Sequence, residues 1–197
     1  MNAPSAGKRK TAVVVMGVAG TGKSTVGQIL ARRLGWSFAE ADDFHSAANV
    51  AKMASGTPLT DEDRRPWLES IRTWIDANAG DSVVTCSALR RSYRDILRGA
   101  QANVRFLHLS GTQESIGARM AARTSHFMPT SLLASQLATL EPLEGDEDGV
   151  VINITGTPEE IVTSAIKALG LQELGDGLEQ STWAASGGDG PRDPTGS

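Results

Sequence analysis

The stretch Gly17-Val18-Ala19-Gly20-Thr21-Gly22-Lys23-Ser24 constrains this chain more than any other feature. It follows an apolar run, Ala12 to Met16, and leads into Val26, Ile29, Leu30 and Leu34 at helical spacing. It therefore reads as a tight turn between a buried strand and the start of a helix, which is the context that gives G-x-x-x-x-G-K-[ST] its meaning. In such a P-loop the glycines let backbone N–H groups curl around a phosphate, and the helix N-terminus adds unpaired donors and a favourable dipole. The segment Gly17, Val18, Ala19, Gly20, Thr21, Gly22, Lys23, Ser24 and Thr25 is thus expected to bind ATP. Lys23 reaches the β- and γ-oxygens as a catalytic cation, and the Ser24 hydroxyl is placed to ligate Mg2+.

A strand feeding a helix at residue 17 also sets the architecture. From Thr11 to Gly170 short apolar runs alternate with amphipathic segments, the pattern of strands joined by crossover helices. Five strands are expected, Ala12 to Met16, Ser37 to Ala41, Ser82 to Cys86, Val104 to Leu109 and Val150 to Ile154. The fold class is α/β, a three-layer P-loop NTPase with a five-stranded parallel sheet and a helical lid. The first helix should stop at Gly35. A later one carries Trp67, Ile71, Trp74 and Ile75, with Pro66 in its first turn and Gly80 near its end. Thr157-Pro158-Glu159-Glu160 combines an N-cap, a proline at the first helical position and a capping-box glutamate. Residues 1–10 read as an N-terminal extension, 11–170 as one kinase domain with its lid at about 119–142, and 171–197 as a disordered tail, whose Gly-, Ser- and Pro-rich composition sets in beyond Leu174.

Composition narrows the partners. A formal net charge of -4 gives no broad basic surface, so nucleic acid is not an expected partner. No apolar stretch approaches the roughly twenty residues of a membrane span, and the single cysteine, Cys86, fits a reducing compartment. A cytoplasmic protein is expected.

The chemistry that follows nucleotide binding depends on where the acids stand. A water-activating ATPase would close an apolar strand with Asp-Glu, but the corresponding strand ends Val84-Thr85-Cys86-Ser87. The Asn-Lys-x-Asp tetrad of a guanine reader is missing from the sequence. The acids come after the second strand, in Glu40-Ala41-Asp42-Asp43, where a parallel sheet meets its ligand crevice. Small-molecule kinases of the shikimate-kinase type resemble this layout, with an acidic pair one residue apart handling the acceptor hydroxyl. Asp42 is the expected catalytic carboxylate; a solvated loop acid is the alternative. Arg119 and Arg123 lie four apart and run into Thr124-Ser125-His126-Phe127-Met128-Pro129, which looks like a lid. Arg123 would neutralise the phosphoryl group and Arg119 would meet ATP. Cys86 is expected to be a buried strand residue with no catalytic part, since phosphoryl transfer to a hydroxyl needs no thiol step.

Further segments resemble the gluconokinase family: His45-x-x-x-Asn49-x-x-Lys52-Met53, Gly56-x-Pro58-Leu59-x-Asp61-x-Asp63-Arg64-x-Pro66-Trp67-Leu68, Cys86-Ser87-Ala88-Leu89-x-x-x-Tyr93-Arg94-Asp95, and His126-Phe127-Met128. The resemblance covers roughly Val13 to Leu169, and the glycine triplet of the shikimate-kinase acid site is missing. It departs from the family at Ser125, which stands before the lid histidine in place of glycine, at Leu137-Ala138 after Gln136, and at Glu40 where Asp is common. The resemblance implies an adenylate-kinase-like domain, commonly a homodimer, that phosphorylates the 6-hydroxyl of D-gluconate with ATP and Mg2+. A polar acceptor pocket with local cations suits such a substrate. Asp42, His45, Arg64 and Arg94 are the expected substrate contacts, with Lys52 and Arg90 behind them; a cap on the following helix for His45 and a pair with Asp61 or Asp63 for Arg64 are the alternatives. Two other readings remain open at this point: a kinase for another sugar acid or polyol, and a nucleotide-binding regulator without turnover.

Overall fold

A computed structural model describes residues 9–121 and 130–174. Arg123, the His126-Phe127-Met128 segment and the tail from Gly175 lie outside the described residues.

Five strands form one parallel sheet in the order β2-β3-β1-β4-β5: β1 Thr11–Met16, β2 Ser37–Glu40, β3 Ser82–Thr85, β4 Asn103–Ser110 and β5 Gly149–Asn153. The helices are α1 Lys23–Leu34, α2 Ala47–Ala54, α3 Asp61–Ala77, α4 Arg91–Arg98, α5 Gln113–Ala121, α6 Thr130–Thr139 and α7 Pro158–Leu169, with a single 3₁₀ turn at Ala41–Phe44. All five expected strands are present within a residue or so of their expected bounds.

The side-chain alternation of β1 explains the three layers. Val13 and Val15 point to one face and meet α1 and α7 through Val26, Leu30, Val162 and Ile166, while Ala12, Val14 and Met16 point to the other and meet α3 and α4 through Leu68, Ile71 and Leu97. Strand β1 is fully buried from Ala12 onward, so its C-terminal end delivers the glycine loop at the middle of the sheet, where the chain turns to opposite sides.

The helix punctuation was read correctly at α1, which ends on a left-handed Gly35, and at α7, where Thr157 and Glu160 make both halves of a capping box. It was read wrongly at α3. That helix begins at Asp61, because Thr60 accepts from the Asp63 amide while the Asp63 carboxylate takes the Thr60 amide. Pro66 consequently lies inside the helix rather than in its first turn, and the helix ends at Asn78, short of Gly80. The two ends of the domain are also tied more firmly than composition suggested. Lys10 donates to the Asp76 carbonyl at 3.1 Å, and the Leu174 amide donates to the Arg33 carbonyl at 2.9 Å. Residues 171–174, placed within the tail by its expected bounds, reach back to the end of α1.

Candidate active site

The glycine loop leaves β1 held on both sides. The Cys86 amide donates to the Val15 carbonyl at 3.0 Å, and the Gly17 amide donates to the Ser87 carbonyl at 3.3 Å, which seats the loop beside the end of β3. Gly20 has φ +84, and a Cβ there would fall 2.5 Å from Met120 Cγ of α5, so only glycine fits this close approach. Thr21 is fully buried and its hydroxyl donates to the Val18 carbonyl at 2.9 Å, so the side chain fixes the loop and leaves ligand contact to the backbone. Helix α1 opens without a side-chain cap and without an acid in its first turn. Among the described residues, the amides of Gly20, Thr21, Gly22 and Ser24 donate to no protein acceptor. Such a nest of outward amides at a helix N-terminus is built to take an anion. Ser24 and Thr25 are exposed at its rim, and Lys23 Nζ donates to the Val18 carbonyl at 3.1 Å, folded back over the loop. These residues fit a nucleotide's phosphates and a magnesium ion at the Ser24 hydroxyl.

The 3₁₀ turn that follows β2 lies at the same end of the parallel sheet as the loop, with β3 between them. The Asp42 side chain is almost wholly exposed, and its Oδ1 lies 4.0 Å from His45 Nε2. His45 stacks on Trp67, with ring centroids 4.4 Å apart and an interplanar angle of 10°, and Trp67 Nε1 in turn donates to the Ala41 carbonyl at 2.6 Å. The imidazole is held in place by an aromatic that is itself pinned to the turn. Burial pushes the His45 pKa below its ordinary value, with Asp42 opposing and Arg64 reinforcing the shift. His45 Nδ1 is buried and has no hydrogen-bond partner among the described residues. A neutral imidazole with an unused ring nitrogen is a good contact for a sugar hydroxyl.

Arg64 reaches the same region from α3. Its guanidinium lies 3.6 Å from Asp61, donates to the Tyr93 hydroxyl at 3.4 Å and sits 5.8 Å from the centre of the Tyr93 ring. Arg90 approaches the same ring at the same distance and donates to Asp61 at 2.9 Å. The Tyr93 hydroxyl donates to Asp61 at 2.6 Å, and that bond, with both arginines nearby, holds the Asp61 carboxyl below its ordinary range. Two arginines, a tyrosine and one carboxylate thus form a positively biased cluster. Tyr93 and Asp61 stand in the family motifs, but no local pattern marks their roles, which depend on α3 packing against α4. Lys52 lies apart, paired with Asp63 at 2.7 Å.

Arg94 does not join this cluster. It is fully buried, and its guanidinium donates to Glu147 and to the carbonyls of Ala88, Leu89, Glu141 and Pro142. The expectation that it contacts substrate is corrected: no face of the guanidinium is left for a ligand. Burial alone would push the Glu147 pKa up, but the Arg94 bonds dominate and hold it below its ordinary value. What Arg94 does hold is the turn after β3, where Ala88 has φ 44, a left-handed backbone that costs a non-glycine residue about 1–2 kcal/mol. Cys86, at the end of β3, has its thiol pushed up to about 12 by burial, so it remains protonated and inert, as expected. Asp42 follows β2 and Lys23 follows the loop after β1, and these two strands flank β3, so the two residues lie on either side of the end of β3.

Arg119 donates to the carbonyls of Ile154 and Gly156, so it lies along the loop after β5, one residue from the Met120 that packs on Gly20. Gln136, which the family resemblance marks without assigning it a role, also touches the loop. The Ala19 amide donates to Gln136 Oε1 of α6 at 2.7 Å.

An anion nest on a parallel sheet, faced by an exposed carboxylate and a cluster of arginines and a histidine, defines a P-loop kinase for a small hydroxylated acceptor. The shikimate kinase family model matches residues 19–170. A gluconokinase from Gluconobacter oxydans is 51% identical over 142 residues, 71% of this chain and 79% of that protein. Among solved structures, a sugar kinase from Janibacter sp. HTCC2649 superposes with a TM-score of 0.77 at 52% identity, covering 82% of this chain and 95% of the other. A gluconokinase from Sinorhizobium meliloti 1021 gives 0.75 at 44% identity, covering 81% and 91%. The chain belongs to the gluconokinase family.

Proposed function

We propose that this protein transfers the terminal phosphoryl group of ATP to the 6-hydroxyl of D-gluconate, giving 6-phospho-D-gluconate and ADP. The observation that carries the reading is the placement of Asp42, after β2, across the end of β3 from Lys23, after β1, with His45 beside the carboxylate at 4.0 Å. The acceptor oxygen attacks the γ-phosphorus, the bond from phosphorus to the β,γ-bridging oxygen breaks, and the hydroxyl proton passes to the Asp42 carboxylate. Being solvent-facing, Asp42 is free to meet a hydroxyl. His45 is the contact for a second hydroxyl, and Arg64, with Arg90 and Tyr93 beside it, is the counter-charge for the gluconate carboxylate.

At the other end, the amides from Gly20 to Ser24 take the β-phosphate and Lys23 the β- and γ-oxygens. Magnesium held through the Ser24 hydroxyl supplies charge neutralisation across the phosphates. Arg119, lying over the loop after β5, presents the face of its guanidinium to the adenine ring. Arg123 retains its proposed role at the phosphoryl group on the strength of its spacing from Arg119. A homodimer accompanies the reading through the family resemblance and a cytoplasmic location through the single cysteine; no helix among the described residues is long and apolar enough to cross a membrane.

The test is magnesium-ATP consumption measured across gluconate, shikimate, other aldonates, glycerate and nucleoside monophosphates. Gluconate should give the highest kcat/KM, with the product phosphorylated at carbon 6. Equal turnover of several aldonates would reduce the reading to a general sugar-acid kinase, and nucleotide binding without acceptor-dependent turnover would overturn it.

A further inference from the structure

The amides of the phosphate loop fall into two sets. Those of Gly20, Thr21, Gly22 and Ser24 donate to no protein acceptor among the described residues, whereas that of Ala19 is bound at 2.7 Å by the side chain of Gln136, 117 residues later in the chain. Gln136 is rigidly delivered. On its helix Leu133 is buried in the core between α1 and the sheet, Leu137 packs against the same core, and the chain just beyond is fastened where the Glu141 amide donates to the Leu89 carbonyl at 2.7 Å. The half-buried carboxamide is therefore fixed at the rim of the loop by packing on both sides of it.

A carboxamide has two ends. Oε1 is spent on Ala19, which orients the group and leaves Nε2 with two hydrogens and no hydrogen-bond partner among the described residues. Its place along the loop says what those hydrogens meet. Lys23 Nζ lies on the Val18 carbonyl, one residue from the amide that Gln136 holds. In a P-loop this lysine serves the β- and γ-oxygens, while the nest nearer the helix serves the β-phosphate. Gln136 therefore stands at the γ end.

We propose that Gln136 reads the terminal phosphoryl group: its Oε1 fixes the Ala19 peptide and its Nε2 donates to the γ-phosphate, so that the side chain favours triphosphate over diphosphate and stabilises the charge that develops in transfer. This deepens the ATP reading above and rests on it. A neutral donor aimed at the transferring group adds stabilisation without attracting the product ADP, which carries no γ-phosphate.

The experiment compares the full chain with Gln136→Glu and Gln136→Met. The first keeps an acceptor for the Ala19 amide but loses the donor and adds a negative charge; the second keeps only the length. Calorimetric binding of magnesium-ADP and of a non-hydrolysable β,γ-imido ATP analogue is read beside kcat with gluconate. In Gln136→Glu, ADP affinity should stay within about twofold, while analogue affinity and kcat each fall about tenfold or more, the scale of one lost transition-state donor or above. In Gln136→Met the analogue should again lose more than ADP, with the KM for gluconate unchanged. An equal loss for both nucleotides would assign Gln136 to holding the loop and overturn the proposal, as would wild-type behaviour of both variants. Failure of the unmutated chain to bind either nucleotide would instead overturn the ATP reading beneath it.

Discussion

The two ends of the site are built from different materials. The nucleotide end uses one contiguous stretch, Gly17 to Ser24, whose working groups are backbone amides set by glycine geometry and by the start of α1. The acceptor end draws Asp42 from the turn after β2, Arg64 from α3, and Arg90 and Tyr93 from the start of α4. Its working groups are side chains, and all but the exposed Asp42 are oriented by a neighbour distant in sequence: His45 by Trp67, Arg64 by Tyr93 and Arg90 by Asp61. A backbone site tolerates changes around it and fails when its own few residues change. A side-chain site inherits every error in the packing beneath it.

That contrast can be broken most directly at Lys23. Lys23→Ala should lower kcat by about 10³-fold or more, since it removes the loop's one cation from the transferring group, with a melting temperature close to that of the unmutated chain. A variant that keeps near-normal turnover would end the P-loop mechanism. The acceptor end should respond next. Asp42→Asn preserves shape and removes the charge, so turnover should fall by roughly 10²-fold, the usual scale for losing a general base, while ATP affinity is nearly unchanged. A parallel collapse of nucleotide binding would mean that Asp42 holds the loop together, and the two ends would cease to be separable.

A third substitution tests what lies under the acceptor end. Arg94→Leu leaves Glu147 buried without a partner and releases the Ala88 turn, so stability should fall by about 3–5 kcal/mol in chemical denaturation. Adding Glu147→Leu should recover part of that loss, because the isolated charge is then gone. If the single variant is as stable as its parent, the pair does not support the turn. The smallest effect is in acid. His45 and His108 both have pKa values lowered by burial, so their folded forms bind protons less readily than unfolded ones. Their contribution is fully present above the ordinary histidine value of 6.5 and is lost as pH falls below it. The melting temperature should therefore decline modestly between pH 7.5 and about 5.5, and His45→Asn should decline less. An identical decline in that variant would remove His45 from the balance.

Much of this was legible without coordinates. The five strands, the caps of α1 and α7 and the nucleotide loop are all local, fixed by residues within a few positions of one another, and apolar periodicity or a single motif reports them. The start of α3 was legible too, in Thr60 and Asp63, but Pro66 drew attention away from that capping box. Family resemblance brought Asp42, His45 and Arg64 forward as individual residues.

Sequence by itself therefore determined the layers, the position of the phosphate loop and the kind of chemistry it serves, because glycine conformation, helix capping and side-chain alternation act over a few residues. Only the tertiary structure decided between two arginines thirty positions apart. Arg64 came to rest half-buried at the acceptor cluster, and Arg94 vanished beneath it, paired with Glu147. The same is true of Gln136, a polar residue of the lid with no assigned role until α6 set it against the Ala19 amide. A guanidinium or carboxamide reads alike in any sequence. What it does depends on which carbonyl, carboxylate or amide the fold brings within hydrogen-bond reach, and no local pattern encodes that.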